Sequence, residues 1–384
     1  MEIVILLVQL FLVLNLILGL ASLCTWFERK GSALMQDRVG ANRAGAFVTP
    51  SLFVENWKLA QLLPSWLVLI LKIVLAPLLW LVRVLGVLGI INTLLCDSVK
   101  AIFKEDFVPE GVSNFMHCLA PFMAVFPVFL AFALVPLAPE FQLGGYSIKM
   151  QIAALNGGVL FIFAMGSVAV YGVALAGWSG NNKFSLLGAL RAAAQMISYE
   201  LAMGLSLVTM ILIYGTLDLY QMVELQSGLL GGLLPRWGVF MQPLAFVVLF
   251  IVGMAETKRA PFDLPEAESE LVAGYFTEYS GMKFLLFWLG EFAEIALFSL
   301  IMAMLFFGGW KIPYFEFAGN AWWVALIGHL VLMTKVVILS FLQIVIRWTL
   351  PRLRYDQLMN LGWKGLLPVS MVSLLVTGAA VIMW

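Results

Sequence analysis

One run near the start of the chain decides its class: Ile3-Val4-Ile5-Leu6-Leu7-Val8-Gln9-Leu10-Phe11-Leu12-Val13-Leu14-Asn15-Leu16-Ile17-Leu18-Gly19-Leu20-Ala21-Ser22-Leu23-Cys24-Thr25-Trp26-Phe27, closed by Glu28-Arg29-Lys30. No Asp, Glu, Lys or Arg interrupts it from Ile3 to Phe27. About 20 apolar residues in a helix cross the roughly 30 Å of a bilayer's hydrocarbon. A Glu2 start in place of a basic n-region, and a Trp26-Phe27-Glu28-Arg29-Lys30 end in place of a small-residue cleavage site, make this a retained membrane helix and not a signal peptide. Comparable apolar spans recur near 117–137, 157–178, 195–213, 240–255, 284–307, 322–346 and 366–384. With 3–27 they make eight crossings. The composition agrees: over 384 residues the hydrophobic set makes up 62% and charged residues 11%, where a soluble domain carries about a quarter charged. The expected fold is an all-α, multi-pass transmembrane helical bundle of about eight spanning helices, with interfacial or re-entrant helices. No repeat or low-complexity tract divides it, so 1–384 reads as a single membrane domain.

Lys plus Arg equals Asp plus Glu at 22 each, which points to no nucleic-acid partner. Position is more telling than sum. Arg29, Lys30, Arg38, Arg43, Lys58, Lys100 and Lys104, then Lys183 and Arg191, then Lys258, Arg259 and Lys283, then Arg347, Arg352, Arg354 and Lys364 fall in alternate connections, while the others hold only Lys149, Arg236 and Lys311. The positive-inside rule puts the first set in the cytoplasm and both termini on the non-cytoplasmic side. The segment 47–85 does not fit as a crossing, because its apolar core from Trp66 to Val82 is short, holds Lys72 and Pro77, and would reverse every later loop. It is expected to be an interfacial or re-entrant excursion with snorkelling bases.

Several chemistries have no signature. Cys24, Cys96 and Cys118 are scattered, the histidines are His117 and His329, and no two glycines are separated by one residue, so ligands for zinc or an iron–sulfur cluster and a dinucleotide loop are not expected. No metal site, catalytic residue or resident cofactor is expected. The adjacent His117 and Cys118 point about 100° apart on a helix, which favours a structural reading.

Charges inside spans are expensive and ask for a reason. Glu200 lies in Gln195-Met196-Ile197-Ser198-Tyr199-Glu200-Leu201, Glu291 and Glu294 share a helix face, and Lys335 lies in the seventh span. Acids and a base in one bundle point to proton or ion relay; the plainer reading is internal ion pairing that fixes the packing. The densest signal is Ala255-Glu256-Thr257-Lys258-Arg259-Ala260-Pro261-Phe262-Asp263-Leu264-Pro265-Glu266-Ala267-Glu268-Ser269-Glu270-Leu271, continuing to Glu278. Asp263 with Glu266 resembles an acidic capping box opening a helix that carries Glu268 and Glu270 in its first turns. A helix dipole favours one or two such acids, whereas Glu256, Asp263, Glu266, Glu268, Glu270 and Glu278 face only Lys258 and Arg259 in this stretch, so the cluster is expected to share protons or bind a cation. The first connection, Gln36-Asp37-Arg38-Val39-Gly40-Ala41-Asn42-Arg43-Ala44-Gly45, looks shaped for close approach by a partner or headgroup, beyond the anchoring its bases provide.

Taken together, the blocks Phe27 to Gly45, Asp97 to Ala120, Val168 to Gly204 with Gly188-Ala189-Leu190-Arg191 and Ile197-Ser198-Tyr199-Glu200, Ala255 to Lys283, and Pro351 to Pro368 with Arg354-Tyr355-Asp356-Gln357-Leu358-Met359 resemble the family of membrane H subunits of respiratory complex I. The resemblance covers nearly the whole chain. It implies an eight-helix subunit that forms the membrane side of the quinone chamber, docks the peripheral quinone-site subunits, and starts a charged path toward adjacent membrane subunits. It places Glu28, Glu200, Glu256, Asp263, Glu266, Glu268, Glu270, Glu278 and Glu291 on that path, and Arg29, Arg38 and Arg43 on the quinone-side loop. Quinone is then the substrate, NADH, FMN and iron–sulfur clusters belong to partner subunits, and the location is a bacterial inner membrane. Departures from the family pattern are Ala41, Lys258, Phe276, Glu294 and the 47–85 segment, which reads as an insertion. The competing readings are a membrane subunit of an energy-converting hydrogenase and a stand-alone cation or proton antiporter; the latter often shows inverted repeats, which are not found here.

Overall fold

A computed structural model describes residues 2–40 and 96–383, apart from breaks at 144, 231, 233, 267, 316–318 and 320. Its helices, in chain order, are α1 Glu2–Met35, α2 Asp97–Phe103, α3 Asn114–Ala133, α4 Gly158–Ser179, α5 Lys183–Tyr214, α6 Leu219–Leu225, α7 Gly238–Met241, α8 Pro243–Glu256, α9 Glu268–Leu271, α10 Gly281–Phe306, α11 Trp322–Thr349, α12 Tyr355–Asn360 and α13 Leu367–Met383. A π-helical stretch, Leu361–Leu366, joins α12 to α13. Among the described residues seven helical runs are long and apolar enough to cross a membrane, and α8 is a shorter apolar helix. The chain is a multi-pass helical membrane protein. The segment 47–85 lies outside the described residues, as does Arg43.

Several helix ends follow from local chemistry. Asn182 Oδ1 accepts the Phe184 amide at 3.0 Å at the start of α5, and Asp218 Oδ1 accepts the Tyr220 amide at 3.1 Å at the start of α6. Gly215, at φ +65°, closes α5 through its amide to Ile211 O. Pro243 opens α8, where a missing amide hydrogen is harmless. The hydropathy span near 195–213 is only the inner part of α5, whose first turns carry Lys183 and Arg191 and extend it beyond the apolar stretch.

By its contacts the chain forms two compact units, one of Met1–Ala21 with Glu105–Trp384, the other Ser22–Lys104. The larger unit is cored by residues such as Met210, Met222, Leu300, Phe306, Leu332 and Val336, all fully buried. Close backbone approach replaces bulk where α3 meets α4: a Cβ on Gly172 would stand 2.4 Å from the Ala124 amide nitrogen, so only glycine lets the helices touch there.

The connections of this unit gather at two ends. At one, β1 Phe141–Leu143 pairs antiparallel with β2 Tyr146–Ile148, Gln142 bridges to Ala321, Lys311 pairs with Glu224 at 2.8 Å, and Gln9 Nε2 donates to Lys149 O at 2.6 Å. Lys149 and Lys311 of the base-poor connections thus share an end with the start of α1. At the other end the base-rich connections are tied by pairs: Asn182 with Glu278, Lys283 with Asp106, and Arg352 with Asp263.

Candidate functional site

The base-rich end is organised around the connection from α8 to α10. Its backbone turns sharply after α8 because Lys258 takes φ +55°, a left-handed conformation uncommon for a residue with a side chain. Two successive side chains then reach α10. Lys258 Nζ lies 3.5 Å from Glu294 Oε2, and the Arg259 guanidinium lies 3.4 Å from Glu291 Oε2 while stacking on Phe292 with 4.3 Å to the ring centre. On the other side of Glu291, the Tyr275 hydroxyl donates to Oε1 at 2.6 Å. Glu291 therefore receives a cation and a phenol in a site nearly closed to solvent.

The capping box expected at Asp263 and Glu266 does not form. Turns occupy the stretch after Asp263, and the helix is the single turn α9. Asp263 accepts from Arg352 at 2.6 Å, with its Oδ1 buried and without a partner among the described residues. Strong pairing with an arginine outcompetes a capping role, which would need the carboxylate turned to backbone amides. The connection is braced from α5, where Gln195 Nε2 donates to Ala255 O at 2.7 Å and to Phe262 O at 2.8 Å. Close packing adds to this: a Cβ on Gly188 would stand 2.8 Å from Gly274 Cα, and one on Gly274, at φ +56°, would stand 1.7 Å from Pro265 O. Bare backbone is required on both sides of that contact.

Electrostatics in the connection follow from burial. Removal from water, then the carboxylates of Glu291 and Asp263, push Glu266 up to about 8, against the pull of Arg259 and Arg347. Burial also raises Asp263 despite Arg352. For Lys258 burial works downward, but Glu294, Glu291 and Glu256 more than offset it and hold the ammonium above the usual lysine value. Burial and then Glu291 raise Tyr275, which keeps its phenol a donor.

The other anticipated acids are distributed around this centre. Glu256, at the end of α8, is 7% exposed, its Oε2 has no hydrogen-bond partner among the described residues, and Glu294, Lys258 and Glu200 act on it electrostatically. Glu200 on α5 accepts from Ser167 Oγ of α4. Glu256, Thr257 and Glu294 form the polar head of a cavity of about 70 Å³, otherwise lined by apolar side chains such as Phe163, Met203 and Phe298. Glu278 accepts from Asn182 Nδ2 at 2.7 Å, next to a buried stack of His117 on Tyr279. Glu270 pairs with Arg191 at 2.5 Å on the surface. For Glu268 only the backbone is described.

Two groups lie elsewhere. Lys335 is not among the acids; its ammonium donates to Phe307 O at 2.7 Å, Gly309 O at 2.8 Å and Lys311 O at 2.7 Å, at the opposite end, over the Trp237 ring. Glu28, Arg29 and Arg38 belong to the Ser22–Lys104 unit. There Arg29 pairs with Asp97 at 2.6 Å, Arg38 Nε donates to Gln36 Oε1 at 2.7 Å, and Gly40, at φ +72°, brings the chain back so that Lys30 Nζ reaches Val39 O at 2.8 Å.

Sequence reasoning missed four residues that build the centre: Arg259 and Arg352 as partners of particular acids, Tyr275 as a donor to Glu291, and Gln195 as a brace. The arginines are visible only as loop bases. A Gln in an otherwise apolar span was the one signal pointing to Gln195. Among the described residues no group of three or more His, Cys, Asp or Glu is placed to hold a metal ion.

Comparison with known proteins adds the family. A family profile described as NADH dehydrogenase matches residues 82–378. The H 1 subunit of the NADH-quinone oxidoreductase of Cytophaga hutchinsonii is 38% identical over 373 residues, covering 97% of this chain and 95% of the relative. The H subunit of the Thermomicrobium roseum NADH-quinone oxidoreductase is 40% identical over 371 residues, covering 96% and 93%, and that of Protochlamydia amoebophila is 47% identical over 285 residues, covering 74% and 82%.

Proposed function

The chain belongs to the H subunit family of NADH-quinone oxidoreductases, and from that premise we propose that its buried acids convert quinone chemistry at the base-rich end into charge movement within the bundle. As a family member it is a membrane subunit of the enzyme complex that reduces quinone and translocates protons. The names of its relatives favour that role over a hydrogenase subunit or a stand-alone antiporter.

In this reading the subunit forms the membrane side of the quinone chamber, with Arg29, Arg38 and Arg43 on the quinone-side loop. The base-rich end faces the cytoplasm of a bacterial inner membrane, with both termini on the other side. Peripheral quinone-site subunits dock on it and carry the NADH site, FMN and iron–sulfur clusters, while adjacent membrane subunits receive the signal. The observation that carries the reading is the pairing of Asp263, Glu291 and Glu294 with Arg352, Arg259 and Lys258, beside the buried Glu256, where the connection after α8 meets α10. In low dielectric such pairs respond strongly to any nearby change of charge. Reduction of quinone takes up protons; withdrawal of one from this connection changes its net charge, and Glu256 passes the change to Glu200 on α5. Glu28, Glu266, Glu268, Glu270 and Glu278 supply the outer part of the path. Lys335 has a holding role, clamping the turn after α10.

Glu200→Gln in the assembled complex tests this. Assembly stays near native while quinone reductase and proton pumping fall together. Native turnover with native pumping removes Glu200 from the path.

A further inference from the structure

The connection after α8 carries an imbalance that the paired contacts do not use. Glu256, Glu291 and Glu294 are three carboxyls; Lys258 and Arg259 are the two cations set among them. Arg259 lies against Glu291, which Tyr275 also holds. Lys258 is left with two acids: Glu294, which it meets at 3.5 Å, and Glu256, two residues behind it on the turn. Glu256 presents a buried oxygen with no hydrogen-bond partner among the described residues. Both acids border the same cavity of about 70 Å³. An isolated carboxylate is too costly in such surroundings, so the third carboxyl of the cluster holds a proton.

We propose that Glu256, Lys258 and Glu294 form a two-position proton site, in which the Lys258 ammonium swings between the two carboxylates and the proton exchanges in the opposite direction. In the arrangement observed, Lys258 neutralises Glu294 and Glu256 carries the proton. When the ammonium moves to Glu256, the O–H bond there breaks, the proton crosses the cavity head, and a new O–H bond forms on Glu294. Number of protons and net charge are unchanged within the site, and the two opposite displacements of positive charge cancel, so a proton passes from α8 to α10 without leaving either carboxylate uncompensated. The groups that face it are Glu200 behind Glu256, and Glu291 and Arg259 beside Glu294. Lysine suits the task because its ammonium is a compact charge on a flexible stem, whereas the guanidinium of Arg259 is held flat on Phe292 and cannot follow.

This inference rests on the charge-relay reading of the connection, and the two are separable in the intact complex in native membranes. Glu256→Gln examines the relay: it lowers quinone reductase and pumping together, and native values for both overturn the relay itself. Lys258→Met examines the two-position site. Without the cation both carboxyls hold protons more tightly, so the alkaline limb of the pH–rate profile moves up by about one unit or more, and protons pumped per NADH fall. A native profile and native ratio in Lys258→Met, alongside a defective Glu256→Gln, overturn the shuttle and leave the relay standing. Should Lys258→Met fail to assemble, the isosteric Glu294→Gln decides: it lowers the number of protons pumped per NADH, whereas a native ratio overturns the site. In the unaltered complex, quinone reduction produces a deuterium-sensitive change in the carboxylic C=O infrared region that Glu294→Gln removes. Its absence from the unaltered complex also overturns the proposal.

Discussion

Lys258 and Lys335 are both lysines drawn out of water, one at each end of the larger unit, and their surroundings differ in kind. Lys258 sits among carboxylates that can gain or lose a proton. Lys335 sits on three backbone carbonyls that cannot. The first environment changes charge when chemistry nearby does; the second is a permanent set of dipoles, suited to holding a turn. The lesson is that an ionisable residue inside a membrane bundle takes its role from its partners' chemistry. Depth in hydrophobic sequence does not assign that role.

The largest test removes a cation from the acidic end. Arg259→Ala leaves Glu291 buried without its counter-charge, at a cost of about 3–5 kcal/mol, and is expected to abolish stable assembly of the subunit, read as loss of the complex on native gels. Glu291→Gln combined with Arg259→Ala restores much of it, since no charge is then stranded. Lys335→Met is the matching change at the other end. It strands carbonyl oxygens at about 1–3 kcal/mol per unsatisfied group, lowering the thermal transition of the complex while protons pumped per NADH stay native in what assembles. Loss of the pumping ratio in Lys335→Met at native stability would erase the contrast between the two lysines.

A pH effect sharpens the comparison further. Glu266 is raised from 4.5 to about 8. Between those values the folded protein holds a proton that the unfolded chain has released, so stability is greatest below 4.5 and declines as pH rises toward 8, by up to about 1.4 kcal/mol per pH unit. Thermal unfolding of the complex from pH 5 to 8 is expected to show that decline, and Glu266→Gln to flatten it. The smallest effect belongs to the exposed pair of Arg191 and Glu270. Arg191→Ala is worth about 0–1 kcal/mol and is screened by salt; a larger loss of stability would show that this pair is buried in the assembled complex.

Membrane class, the number of apolar spans and the segregation of bases were legible from residues alone, because each depends on local properties: hydropathy over a helix length, and the charge of the connection that follows. The same holds for the acidic connection as a place of interest. Its internal arrangement was not legible. Asp263 followed by Glu266 reads as a cap, yet Arg352, distant in the sequence, draws Asp263 into an ion pair instead. Lys258 and Arg259 read as one basic dipeptide, and only the left-handed turn sends them to different carboxylates on α10. Lys335 reads as a fellow of the intramembrane acids until α11 is seen to carry it to the carbonyl end of α10.

What the sequence by itself determined is therefore a polytopic helical membrane protein of the H subunit family, with its bases sorted to one side and its acids concentrated in one connection. Only the tertiary structure decided which acid meets which base, which carboxyl is left over, and which lysine stands among groups able to change charge. The physical reason is range. Hydrophobic burial in a bilayer is read along one helix at a time, whereas the energy of a buried charge is set by partners a few ångströms away in space that the chain reaches only after folding.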